Sequence, residues 1–252
     1  MMDSDNERRF GGIARLYGPG SRERLAGRHA CVIGIGGVGS WAAEALARSG
    51  VGRLTLVDLD HVAESNINRQ VHALSGTLGQ AKVQAMGERV AAVNPHCRLS
   101  LIEDFVTPEN VAGLLPACDA VVDAIDQVRA KAALIAHCRR ADLYLVTTGG
   151  AGGRTDPTQI RVDDLSRTTQ DPLASKVRAQ LRKAYGFPRE PKKKFGVECV
   201  YSLEPLARPV ACDTDEHGLH GLSCAGYGSS ACVTAAFGLA AAARVLDRLA
   251  RA

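Results

Sequence analysis

Four short segments carry side chains suited to work on phosphate. "GIGGVGS", residues 34–40, holds Gly34-x-Gly36-x-x-Gly39, with Gly37 inside it. "SNINRQ", residues 65–70, holds Asn66 and Arg69. "GQAK" ends on Lys82, and "VVDAIDQ" carries Asp123 and Asp126. A glycine turn that opens a helix presents free backbone N–H groups to an anion. Arginine and lysine aimed at a phosphoryl group stabilise the charge that develops when a bond to phosphorus changes. Asn66 is an amide able to orient phosphate or ribose, and the Asp126 carboxylate offers oxygen ligands to magnesium. The set suits nucleotidyl transfer, whereas hydride transfer has no use for a cationic cluster at this point.

These side chains need a scaffold, and the surrounding pattern supplies one. "HACVIGIG" reads as a buried strand, "SWAAEALARSG" as a helix that stops at Gly50, and "RLTLVDLD" as a second strand. Asp58 ends that strand nineteen residues after Gly39. This is the dinucleotide-binding context: Gly34 for the tight turn, Gly36 for close approach of phosphate, Gly39 for helix packing and Asp58 for ribose hydroxyls. The turn alone does not choose the nucleotide; NAD would satisfy it equally.

A helix follows over about 80–94, ended by Pro95. "CRLSLIEDF" alternates as a strand, and "TPENVAGLL" predicts a short helix with Thr107 as N-cap and Pro108 at its first position. "CDAVVDAID" is a buried strand, "VRAKAALIAHCRRA" a helix and "LYLVTTGGAGG" another strand. Repeated strand and helix imply an α/β, Rossmann-like fold: a mostly parallel sheet flanked by helices. "QIRVDDL" and "VECVYSLEP" read as late strands that extend this sheet, and a helix closes the chain. Residues 207–229 look irregular. The expected organisation is one domain over residues 1–252, with a nucleotide-binding core at about 28–150 and a substrate-facing extension at about 151–252.

Composition excludes several classes. Of 252 residues, 46% are hydrophobic, an ordinary globular level rather than a disordered one. Aromatics are 4%, too few to favour nucleic-acid binding by stacking platforms. The net charge of +4 permits an anionic partner without requiring one. The cysteines at 31, 97, 118, 138, 199, 212, 224 and 232 form no C-x-x-C pair, so no structural zinc site is indicated. "MMDSDNERRF" has no apolar stretch of the secretory kind, so a cytoplasmic location with reduced thiols is expected. The small-apolar run from Ala231 to Ala243 falls short of the ~20 residues that span a bilayer. A buried or dimer-forming helix is expected there, with membrane association as the minor alternative.

Taken in order, GxGGVGS, Asp58, "SNINRQ", "GQAK" and "DAIDQ" resemble the ubiquitin-activating-type (ThiF/MoeB-like) adenylating superfamily, over about Arg15 to Gly150. The resemblance implies adenylation of a carboxylate with ATP and Mg2+. It implies ATP and metal contacts by Asn66, Arg69, Lys82 and Asp126, with Asp58 on the ribose. It further implies a homodimer in which Arg15, in "GGIARLYG", reaches the neighbouring subunit's phosphates. A solvated helix charge at Lys82 and an ordinary surface arginine at position 15 are the alternatives. Asp123 reads as a supporting acid rather than a metal ligand.

"RFGGIARLYG", "TTGGAGG" with "DPTQI", "QDPLA" and "GVECVYSLE" resemble one branch of that superfamily over essentially the whole chain. Members of this branch dehydrate N6-threonylcarbamoyladenosine beside the tRNA anticodon through an acyl-adenylate. Between Lys176 and Lys194 there are eight Lys/Arg and one Glu. Lys176, Arg178, Arg182, Lys183, Arg189, Lys192, Lys193 and Lys194 could follow tRNA phosphates, or form a solvated helix face and loop. Cys224 in "GLSCAGYGSS" reads as structural or incidental, with a nucleophile or sulfur-acceptor role, and a cysteine desulfurase or sulfur-acceptor protein as the corresponding partner, as the minor alternative. Cys199 reads as core. The runner-up function is adenylation of a small sulfur-carrier or ubiquitin-like protein, against which the missing C-x-x-C pairs weigh.

Overall fold

The central strands bury both faces, which is why their sequences run apolar without alternation. In the computed structural model, which describes residues 4–207 and 227–251, β1 (His29–Ile33), β2 (Arg53–Val57) and β4 (Ala120–Asp123) are almost wholly buried. With β3 (Arg98–Ile102), β5 (Tyr144–Thr148), β6 (Ile160–Asp164) and β7 (Glu198–Ser202) they form a seven-stranded sheet ordered β3-β2-β1-β4-β5-β7-β6. Every neighbouring pair is parallel except β6 with β7. The two late strands thus join the same sheet, as expected from their sequence.

The helices are α1 (Ser4–Tyr17), α2 (Ser21–Gly27), α3 (Gly39–Arg48), α4 (Lys82–Val93), α5 (Val111–Leu114), α6 (Val128–Arg140), α7 (Pro172–Ala184) and α8 (Ala231–Arg251). Alternate residues of each strand serve opposite cores. Ala30, Val32, Leu54 and Leu56 pack with α3, α4 and α8. Cys31, Ile33, Val57 and Val121 pack with α6 and α7. The expected short helix begins later than its sequence suggested. Thr107 Oγ1 accepts the Asn110 backbone N–H at 3.2 Å and closes a turn, and the helix occupies only Val111–Leu114. Pro116 shortens it from behind, because a residue before proline disfavours helical geometry.

α8 lies on α3 as a core helix. Gly238 sits so close to the Val38 carbonyl oxygen that a Cβ there would overlap it. Among the described residues no helix is long and apolar enough to cross a membrane.

The connection from β1 goes outward through β2 to β3, and the chain then returns to place β4 on the other side of β1. Open α/β sheets bind ligands at such a reversal, beyond the carboxyl ends of the strands. The turn after β1 and the loop after β4 meet there.

Candidate active site

A cleft of about 620 Å3 opens at this reversal, lined by the glycine turn, Asp58, Asn66, Arg69, Lys82 and Asp126. The backbone of the turn is fixed by close approach. Gly34 has φ +84°, and a Cβ on it would press on the Ala124 backbone at 2.9 Å. A Cβ on Gly39 would overlap the Gly34 carbonyl. At Gly36, by contrast, a Cβ would meet nothing within 4 Å, so the space above the turn is open for a phosphate.

"SNINRQ" is bent and then fastened. Residues Glu64–Asn66 make a 3-10 turn, and Asn66 Oδ1 accepts the Ala63 N–H at 3.1 Å. The Arg69 carbonyl accepts the Trp41 indole N–H at 3.0 Å, and Asn68 Nδ2 donates to the Ser229 carbonyl at 2.9 Å. The segment is thereby tied to α3 and to the entry of α8. The Arg69 guanidinium donates to the Ser65 carbonyl at 2.6 Å and to Asn68 Oδ1 at 2.9 Å. It has no acidic partner among the described residues. Burial lowers its pKa from the usual arginine value, a desolvation cost that a bound anion would offset.

Lys82 is the first residue of α4 and is only 6% exposed, so it is not a solvated helix charge. Its Nζ lies 2.6 Å from Asp60 Oδ2. Asp58 braces the turn as well as lining the cleft: Oδ2 accepts the Ile35 N–H at 2.6 Å and Oδ1 the Asp60 N–H at 2.9 Å. Burial raises its pKa, against the opposing pull of Lys82. Asp126 is exposed at the cleft and makes no hydrogen bond or ion pair among the described residues. Among those residues no three His, Cys, Asp or Glu side chains gather to hold a metal unaided. A magnesium ion would therefore depend on phosphate oxygens together with Asp126.

A family model for ThiF matches residues 11–251. The chain belongs to the ThiF family. It is 52% identical over 255 residues to the Haemophilus influenzae tRNA threonylcarbamoyladenosine dehydratase, covering 99% of this chain and 96% of that protein. The Escherichia coli protein of that name is 51% identical over 249 residues, covering 96% of this chain and 93% of that protein. Its crystal structure in complex with ATP, under the name TcdA, matches with a TM-score of 0.90 at 49% identity, covering 99% of this chain and 96% of that chain. An AMP complex of the same protein matches with the same score. These matches agree with the branch resemblance carried by the motifs.

Within this ThiF-family chain, other expected residues lie apart from the cleft. Arg15 is exposed near the end of α1 and does not line it, so the chain does not place its own Arg15 at the site. In the basic segment, Lys176, Lys183, Arg189, Lys192, Lys193 and Lys194 are exposed. Arg178 and Arg182 are not free in the same way. Arg178 bonds the Thr168 hydroxyl, while Arg182 donates to the Pro188 carbonyl at 3.1 Å and lies 5.2 Å from the Phe195 ring centre. The guanidinium groups of these two are spent on holding the segment together, because both residues sit half-buried at the edge of the inner face of an amphipathic helix. Cys199 is fully buried in β7, and burial pushes its thiol well above the usual range. Cys224 lies outside the described residues.

Three buried polar side chains around the cleft escaped sequence reading. Lys131 is 1% exposed, and its Nζ meets Asp123 Oδ2 at 3.1 Å and donates to the Ile125 carbonyl at 2.8 Å. With Thr147 Oγ1 donating to Asp123 at 2.6 Å, it sets the loop that presents Asp126. Asp123 is thus the supporting acid that was expected. Arg154, also buried, donates to the Gln170 carbonyl at 2.7 Å and lies 3.7 Å from Asp171 Oδ2. Asp171 in turn caps α7 and accepts the Gly150 N–H at 3.0 Å, which holds the glycine loop lining the cleft. His72 is 2% exposed and near Lys82, and neither ring nitrogen has a hydrogen-bond partner among the described residues. A lysine in an alanine-rich helix was the one available signal for Lys131; nothing local marks the other two.

Proposed function

We propose that this chain uses ATP and Mg2+ to activate the carboxylate of N6-threonylcarbamoyladenosine in tRNA, then closes that group into a ring with net loss of water. Its observation is Arg69: a cation without an acidic partner among the described residues, lying along the glycine turn in the cleft that also holds Lys82 and Asp126. The carboxylate attacks the α-phosphorus of ATP and pyrophosphate leaves. Arg69 and Lys82 take up the charge that develops on the phosphates, and Asp126 helps to hold the metal ion. Gly34, Gly36, Gly37 and Gly39 cradle phosphate, and Asp58 and Asn66 orient the ribose end. The carbamoyl group of the same base then attacks the activated carbonyl and AMP leaves; the reaction is intramolecular, so high effective molarity favours it.

The E. coli relative's ATP and AMP complexes support the nucleotide, and the relatives' shared name supports the tRNA substrate. The active unit in this reading is a cytoplasmic homodimer with Arg15 completing the neighbouring site. The chain acts as one domain whose extension, through the exposed lysines of α7 and the following loop, follows tRNA phosphates. A sulfur-acceptor partner, if it acts on this chain, would address Cys224. Carrier-protein adenylation is the weaker reading, since the sequence has no C-x-x-C pair.

The test is to incubate the protein with ATP, Mg2+ and tRNA bearing the modification, then digest to nucleosides. A product lighter by one water, formed with AMP, is expected. Unchanged nucleoside overturns the reading.

A further inference from the structure

Arg53 and Arg98 are the first residues of β2 and β3, and they are register partners on these parallel strands. Such partners project to the same side of the sheet from strands about 4.8 Å apart. Like charges placed directly opposite destabilise a sheet. Both side chains are exposed, and neither makes an ion pair or side-chain hydrogen bond among the described residues. They line a second cleft of about 660 Å3 together with Arg28, His96, Asn94 and Asp119. It lies at the amino ends of the strands, roughly 15 Å along the sheet from the glycine turn, at ~3.3 Å per residue.

The acids nearby are already engaged. Asp119 Oδ1 accepts from Arg28 at 3.1 Å, and Oδ2 accepts the His29 backbone N–H at 2.8 Å. Asp5, which faces His96, binds Arg9 at 2.7 Å. His29 uses both ring nitrogens, on the Ala117 carbonyl and the Thr55 hydroxyl, each at 2.9 Å. Two arginines at paired register positions therefore line a cleft whose one lining carboxylate is already engaged.

We propose that this cleft is a second phosphate-binding site, in which Arg53 and Arg98 clamp one phosphate group. Paired guanidinium forks match the oxygens of a phosphate, and the anion removes the repulsion between the two strands' charges. The group could be carried by an RNA backbone or be a free phosphate ion, and the two sources separate experimentally.

The experiment compares the full-length parent with the Arg53→Gln/Arg98→Gln double variant and with each single variant. One arm measures binding of a short end-labelled RNA hairpin by fluorescence anisotropy across a salt series. The other follows thermal unfolding with inorganic phosphate against chloride at equal ionic strength, in an Arg69→Ala background that weakens the other phosphate site. If RNA is the source, the double variant loses about tenfold in affinity, and the slope of log K against log salt falls by about 1. If a free ion is the source, phosphate raises Tm with Arg53 and Arg98 present and not in the double variant, with RNA binding unchanged. Arg→Lys replacements recover part of either effect. With Arg69 intact and modified tRNA at saturating concentration, the rate of pyrophosphate exchange is unchanged in the double variant, which shows an intact fold. If neither arm distinguishes parent from variants, the proposal is overturned.

Discussion

Arg69 lies across Gly37, so that a Cβ on the glycine would stand 3.2 Å from both Cγ and Cδ of the arginine. The phosphate turn and the cationic segment, some thirty residues apart in the chain, are one packed unit. The absence of a side chain at 37 lets the Arg69 stem lie flat and carry its charge to the turn.

Arg69→Ala should lower the rate of ATP–pyrophosphate exchange by about 10²–10³-fold, the usual effect of removing one aimed donor. Gly37→Val should lower it as well, by pushing aside a side chain that is still present. Gly37→Ala should have a smaller effect, because a flexible stem can move a few tenths of an ångström. Full exchange activity in Gly37→Val would break the link between the two residues.

Lys82 and Asp60 form a pair with unequal exposure, 8% against 72% for the two side chains. Lys82→Ala should cost about 10²-fold in exchange rate. Asp60→Asn should change it by less than about tenfold, and stability by under about 1 kcal/mol, because that carboxylate is solvated. Equal losses in the two variants would show that the pair, rather than the lysine, matters.

The Asp123–Lys131 pair is buried on both sides. Lys131→Met should destabilise the protein by about 3–5 kcal/mol by leaving a buried carboxylate without its cation. Adding Asp123→Leu to it should recover part of that loss. Urea unfolding of the single and double variants measures both quantities.

His72 is held down to about 4, first by burial and then by the nearby Lys82 and Arg89 cations. The unfolded chain protonates this residue near 6.5, and the folded one does not until about 4. Its contribution is therefore fully present above about pH 6.5 and is lost as pH falls toward 4, by an amount on the order of 3 kcal/mol. His72→Gln should flatten this part of the stability–pH curve. A curve as steep as the parent's would assign the acid sensitivity elsewhere.

Arg15 and Arg69 can be tested together. If Arg15 completes the partner's site, mixing inactive Arg15→Ala and Arg69→Ala subunits restores one intact site per mixed dimer, about a quarter of parental activity after random exchange. No recovery, with mixed dimers shown to form, would place Arg15 outside catalysis.

By itself, the sequence determined the strand–turn–helix order, the glycine turn and the candidate phosphate cations. These depend on local sterics: apolar runs that bury both faces of a strand, and glycines where a Cβ has no room. The late strands and the closing helix were legible for the same reason. Only the tertiary structure decided which charges stay available. It tied Arg178 and Arg182 into their own segment, buried Lys131 under the Asp126 loop and left Arg15 away from its own cleft. It also set Arg53 beside Arg98, since strand register pairs residues that no local pattern connects. A charge's role depends on its partners and its solvent, and both are fixed by contacts between distant parts of the chain.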